Sequence, residues 1–554
     1  MGHTLRCVVL YHISKFQAYV YAYCQTVILV KPPVIHVVQP YEQIAPPAFR
    51  SPFTQNYHIM EPSPEFIASH FPRLHPDHLI HTRRQFLQHT GMGLGMLGLA
   101  GLIQPSAVRA ATSLQGAAKG GQPLHYAPKA KHVIHIFLEG APSHIDTWDP
   151  KPELGRLDGK PMPGGEGLAF GSPFAFTKQG KSGIEVSEVF PELGKLVDEM
   201  SVIRSMWTDI PAHETATVFM NTGSLRLPRP SMGSWALYGL GTLNENLPGF
   251  ISLRGPNLPN GGTANWQSMF LPGRFQGTSV NTNAGDVNQI IENLRNQYIT
   301  LPEQRKQLDL VRKLDEMHNR ALENDSQLEA EIASFEMAFK MQTEATDAFD
   351  ISKETPAMRE SYGIKPGVVP VAPKKGKKAS GNPAEVGKRL LIARRLVERG
   401  VRVVQVFVGG WDMHGNLKDS MENRAASIDQ PIAALHKDLK ERGLLDSTLV
   451  MWGGEFGRTA GRDRNGQGDT AGRDHNARGF CTCLAGGGVK GGYVHGSTDD
   501  LGRAAAVDKV HVHDLHATVL RLLGFDHEKL THRYNGRDFR LTDVAGNVVT
   551  PLLA

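Results

Sequence analysis

Apolar and polar positions follow two different periods along this chain, and the second half reads most plainly. Val401-Arg-Val-Val-Gln-Val-Phe-Val408 and Thr448-Leu-Val-Met-Trp452 are short apolar, β-branched runs with glycine beyond them, the signature of buried strands. Segments 384–399 and 424–441 instead place apolar residues every three or four positions, which predicts helices. A strand over 480–485 and a helix over 514–523 complete that half. Upstream, His132-Val-Ile-His-Ile-Phe-Leu138 predicts a strand running into the loop Glu139-Gly-Ala-Pro142, and 200–204 predicts another. Helices are predicted within 187–206 and over 212–223 and 231–240. Strands alternating with helices specify an α/β fold: a mostly parallel sheet with helices on both faces. Residues 286–350 carry two or three long polar helices and read as a helical insertion into that core. Residues 150–182 and 366–382 are rich in glycine, proline or lysine and predict loops.

The first part of the chain reads differently. Thr82-Arg-Arg-Gln-Phe-Leu87 precedes an uncharged, glycine-rich apolar run from Thr90 to Ile103, and then small residues at Ala107-Val-Arg-Ala-Ala111. An arginine pair, an apolar segment and a small-residue cleavage site, in that order, describe a twin-arginine signal peptide over 81–111. The expectation is therefore export to the periplasm or beyond. Residues 1–80 show no periodicity and predict a non-structured extension, with translation expected to begin at Met60. Residues 112–130 read as a flexible linker, and 131–554 as the catalytic domain. Outside the signal no stretch reaches the roughly 18 apolar residues that a membrane span requires, so no integral span is expected after its removal.

Composition narrows the function. A net charge of +5 over 554 residues, without a single-sign stripe, does not suggest nucleic-acid binding. Of the four cysteines, Cys7 and Cys24 precede the signal, while Cys481 and Cys483 lie in one predicted strand and read as core thiols without a disulfide. The 24 histidines matter more, because several stand beside carboxylates and glycines at strand ends.

In parallel α/β sheets, chemistry gathers in loops at the carboxyl ends of the strands. Four such places carry suitable side chains. Glu139, Ser143, His144 and Asp146 follow the first strand, and Asp412 and His414 follow the strand at 401–408. Glu455 and Arg458 follow the strand at 448–452, and Arg473, Asp474 and His475 precede the strand at 480–485. Mixed imidazole and carboxylate ligands without thiolates suit a divalent ion, with zinc favoured and manganese or calcium admitted. Arg458 and Arg473 are candidates to bind an oxyanion. The group His511, His513 and His516 reads mainly as structural, with Asp514 as a helix N-cap.

Several of these segments together resemble a known family. They are Pro142-Ser-His-Ile-Asp-Thr-Trp-Asp-Pro-Lys-Pro152, Met220-Asn-Thr-Gly223, Pro230-Ser-Met-Gly-Ser-Trp235, Ala393-Arg-Arg-Leu-Val-Glu-Arg-Gly400, Gly410-Trp-Asp-Met-His414, Gly453-Gly-Glu-Phe-Gly-Arg458, Arg473-Asp-His-Asn476 and Asn535-Gly-Arg-Asp538. From about residue 130 onward the chain resembles the sulfatase-like proteins called domain of unknown function 1501, within the alkaline phosphatase superfamily. The resemblance implies an alkaline phosphatase/sulfatase-like sheet and one or two metal ions holding a phosphate or sulfate ester. It implies Glu139, Asp412, His414, Glu455 and His475 as metal ligands; beside them Arg473 and Ser143 are candidate substrate contacts and Arg458 a candidate catalytic group. The superfamily's nucleophile position, counted back from Thr222-Gly223, falls on His213. No Cys-x-Pro-x-Arg or Ser-x-Pro-x-Arg sequence occurs, which argues against a formylglycine sulfatase. Either Thr215 attacks as an alkoxide, or His213 and Glu214 serve as ligands or acid/base groups while a metal-activated water attacks. Two functions follow: a metal-dependent hydrolase of small or polymeric phosphate or sulfate esters, or an exported binding protein that keeps the fold without catalysis.

Overall fold

The computed structural model describes residues 120–554, apart from 165–166, 226–227, 245, 284–299, most of 322–345, 366–381 and 464–469. The expected extension and signal therefore lie outside the described residues, as do much of the helical insertion and most of the 366–382 loop.

The central sheet has nine strands: β1 His132–Phe137, β2 Met200–Trp207, β3 Phe250–Arg254, β4 Thr278–Asn281, β5 Val403–Phe407, β6 Thr448–Gly453, β7 Phe480–Ala485, β8 Tyr493–His495 and β9 Val510–His511. Their spatial order is β8-β2-β7-β6-β1-β5-β3-β4, with β9 also beside β2. All pairings are parallel except those of β7, which runs against both β2 and β6. The sheet is thus mostly parallel, as expected, with one reversed strand that the pattern alone does not reveal.

Register matters for function. Phe137 pairs with Phe407 on one side and Gly453 on the other, so β1, β5 and β6 stop on one line. Beyond that line follow Glu139, Asp412 and Glu455. Because β7 is reversed, its beginning lies at the same edge, and His475 sits just ahead of it. The loop at 472–476 therefore belongs with the carboxyl ends of its neighbours although it precedes its strand.

Helices cover both faces. Alternate residues of β1 point to opposite sides: Ile134 and Ile136 join one buried cluster, Val133 and Phe137 the other. The first cluster is closed by α4 Pro383–Glu398 and α5 Leu417–Glu441; the second by α1 His213–Thr222, α2 Met232–Leu240 and α6 Val512–Leu522. Each fully buried Leu, Ile or Val contributes about 1.5–3 kcal/mol, so these layers hold the sheet edge rigid beneath its loops. Local signals agree: Asn382 caps α4 through the Ala384 amide, with Pro383 in the first turn.

Several details differ from expectation. A 3₁₀ turn at Leu193–Glu199, not an α-helix, precedes β2. Residues 120–130 are no flexible linker, because their backbone bonds to Gly239, Leu522 and Gly524. His511, not Asp514, is the N-cap of α6, and Asp514 completes a capping box by accepting from the His511 amide at 2.8 Å. Of the expected insertion, one long helix is described, α3 Leu301–Ala321. No described helix is long and apolar enough to cross a membrane.

Candidate metal centre

Four side chains from three connections meet at the shared edge. His213 opens α1 after the β2–α1 loop, Asp412 and His414 follow β5, and His475 precedes β7. The Nε2 atoms of His213, His414 and His475 lie 3.2, 2.9 and 3.4 Å from one oxygen, Asp412 Oδ1. The two nitrogens of His414 and His475 are themselves 3.0 Å apart.

The opposite ring nitrogens explain this aim. Nδ1 of His213 is 2.5 Å from Glu455 Oε1, Nδ1 of His414 is 2.5 Å from Asp463 Oδ2, and Nδ1 of His475 is 2.7 Å from the Pro211 carbonyl. Carboxylates and carbonyls accept, so each Nδ1 carries a hydrogen, and a ring with no second hydrogen turns an Nε2 lone pair inward. Three lone pairs and a carboxylate oxygen then face one another. That arrangement is repulsive unless a positive charge stands among them. Nε2 of His213 is buried without a hydrogen-bond partner among the described residues, its approach to Asp412 lacking bonding geometry. An unpaired nitrogen of this kind, in a ring oriented from behind by a carboxylate, fits a metal ligand.

The electrostatics agree. Burial opposes a charge on His213, but Asp412 and Glu455 beside it outweigh that cost and lift its pKa to about 9. Burial likewise pushes the Asp412 carboxyl up, yet His213, His475 and Arg458 hold it well below the usual carboxylate range. The site therefore asks for positive charge at the point where the rings converge. A second trio, His414, Asp474 and His475, has the spacing of an ion site on the more exposed side.

The other expected site residues are placed around this cluster. Glu455, expected as a ligand, is fully buried behind His213 and also accepts from the Gly140 amide at 3.0 Å; it orients the ring instead of facing the convergence point. Glu139 belongs to neither ligand trio; its Oε1 accepts from the Asn260 amide at 2.6 Å. Burial, then the charge of Glu455, raises its pKa against the Asn260 bond and His213.

Arg458 bonds Asp412 Oδ1 at 2.7 Å and the carbonyls of Gly140, Ala141 and Arg473 at 2.6, 2.9 and 3.2 Å. It thereby clamps a turn in which Ala141 adopts φ 58°, a left-handed conformation that a β-carbon disfavours. Arg473 and Ser143 both bind Asp146, at 2.7 and 2.5 Å, out of contact with solvent. Thr215 lies in the first turn of α1, two residues past His213. Side chains so spaced do not share a helix face, and its hydroxyl makes no hydrogen bond among the described residues. His513 turns away to the Gly223 carbonyl at 2.9 Å.

The residues brought together are thus Asp412, His414, His475 and His213. Asp463 was missed; the available signal was one more acid in the glycine-rich stretch that already held Arg458 and His475.

The family model described as "Protein of unknown function (DUF1501)" matches residues 130–553, and the chain belongs to that family. No curated protein matches it. Among solved structures it is similar to Ps i-CgsB in complex with k-i-k-neocarrahexaose, at 11% identity over 72% of this chain and 74% of that one, TM-score 0.32. The PsFucS1 sulfatase from Pseudoalteromonas sp. gives 14% identity over 77% and 73%, TM-score 0.31. Alkaline phosphatase from the Antarctic bacterium TAB5 gives 10% over 71% and 98%, TM-score 0.28. At these TM-scores the overlaps carry no chemistry across, and the side-chain geometry stands by itself.

Proposed function

We propose that the chain is an exported, metal-dependent hydrolase of phosphate or sulfate esters. The observation that carries the reading is the convergence of three imidazole Nε2 atoms on Asp412, each ring held from behind. Three nitrogens and one carboxylate favour zinc, with manganese second; calcium, which takes oxygen ligands, suits the set least. A divalent ion bound there would stabilise negative charge building on the ester oxygens. The chain's own residues do the rest. Glu455, Asp463 and the Pro211 carbonyl fix the ring orientations, and Arg458 holds Asp412 in place. The arginine pair and apolar run at 81–111 support export, and mature chains should begin near residue 112 on N-terminal sequencing.

One observation favours the second reading, a binding protein without catalysis. Both arginines expected to grip an oxyanion are committed to Asp412 and Asp146. Bound metal in the purified protein, lost in the double variant Asp412→Ala/His475→Ala together with turnover of an aryl phosphate, phosphodiester or aryl sulfate, supports hydrolysis. A metal-free wild type inert towards all three esters would overturn it.

A further inference from the structure

The segment Gly453-Gly-Glu-Phe-Gly-Arg458 supplies Glu455 and Arg458 to the centre and leaves its phenylalanine without a role. Phe456 is fully buried, yet it belongs to neither of the two layers that close the sheet. It forms a small apolar cluster with Ala141 and Ala216, against which Ile210 packs. That cluster touches the imidazoles. The ring of Phe456 lies 4.8 Å from that of His213 and 4.8 Å from that of His475, centroid to centroid, tilted by 31° and 45°. The two imidazoles themselves meet edge to face, 4.4 Å apart at 74°. The local chain arranges this contact. A short antiparallel ladder pairs Arg458 with His475 and Gly457 with Asn476. Phe456 and His475 therefore project from one face as diagonal neighbours, within reach of an aromatic ring. Ala216 stands three residues after His213 on α1, on the same helix face, where its small side chain leaves room for the ring.

The hydrogen bonds at Nδ1 of His213 and His475 fix where one corner of each ring points. A ring held at one corner can still swing about that bond. Contact on the ring itself stops the swing, and Phe456 supplies such contact to two imidazoles at once. An apolar shell also keeps water from joining the ligands. We propose that Phe456 is a positioning residue of the metal centre. It holds His213 and His475 at a fixed tilt, which keeps their Nε2 atoms converged and favours zinc, an ion of few ligands, over manganese. This inference rests on the metal-binding part of the reading above and not on hydrolysis.

The test uses the purified full chain, with zinc and manganese affinities from calorimetry and the visible spectrum of the cobalt(II) form, whose bands weaken as ligands are added. Phe456→Leu and Phe456→Met keep an apolar side chain of similar size but lose the flat ring. Each should bind zinc about 10–100-fold more weakly, with a smaller loss for manganese and weaker cobalt bands. Phe456→Tyr, which keeps the ring, should stay closer to wild type in all three. A purely structural phenylalanine would lower the melting temperature of the metal-free protein without moving the cobalt bands or the zinc-to-manganese ratio. Should one apolar variant fail to fold, the other carries the test. A folded variant with wild-type zinc affinity and cobalt bands, or with equal losses for zinc and manganese, would overturn the role of Phe456 and leave the metal centre standing. A wild type that binds none of the three ions would overturn both.

Discussion

Two aspartate–arginine pairs lie within one loop system, and they differ in a way that separates support from chemistry. Asp146 and Arg473 are fully buried, doubly bonded at 2.7 and 3.0 Å, with Ser143 on the same carboxylate. Every demand there is met inside the protein. Asp412 and Arg458 begin the same way, but the carboxylate oxygen that Arg458 holds is also the focus of three imidazole nitrogens. One pair is closed; the other is oversubscribed. The lesson is that a buried ion pair by itself marks nothing, whereas donors and acceptors that cannot all be satisfied point to something brought from outside.

The largest expected effect comes from breaking the closed pair. Arg473→Met leaves Asp146 buried and uncompensated, and should cost about 3–5 kcal/mol in denaturant unfolding. A loss under about 1 kcal/mol would mean that the pair does not hold the loops.

Acid gives the next effect and acts on histidines buried away from the cleft. Burial holds His135, and burial with nearby Arg402 and Lys131 holds His132, at pKa about 4. Both values are depressed below the unfolded 6.5, so the unfolded chain takes up protons first as pH falls. Their contribution is therefore complete above pH 6.5 and is lost between 6.5 and 4, by roughly 3 kcal/mol per ring at most. His135→Gln should flatten the pH dependence of urea midpoints across that window; an unchanged slope would show that the ring does not resist protonation.

The smallest effect sharpens the open side. Asp463→Asn keeps the shape behind His414 but weakens its orientation, and should lower zinc affinity about 10–100-fold. Unfolding of the metal-free protein should shift by less than about 1 kcal/mol. Unchanged affinity by calorimetry would remove Asp463 from the centre.

How much of this was legible in the sequence depends on the distance between partners. Asp412, His414 and His475 could be picked out because each flanks a strand end and glycines surround them. His475 was found by a rule about strand carboxyl ends that its own strand does not obey; the reversal of β7 made the inference work. The partner of Glu455 was not legible, because proximity to a strand end says nothing about which neighbour a carboxylate meets; here it meets His213. The Arg473–Asp146 bond joins residues 327 positions apart, which no local pattern encodes. Strands β4, β8 and β9 went unread because two to four residues are too few to show a period.

The three connections that meet at Asp412 have a mechanical meaning as well. Within the described residues the only cysteines, Cys481 and Cys483, are both free. A cation fastened between His213, Asp412 and His475 would tie off one chain loop of about 200 residues and another of about 60, restricting the denatured ensemble much as a cross-link does. The atoms that hold the ion would then also resist unfolding.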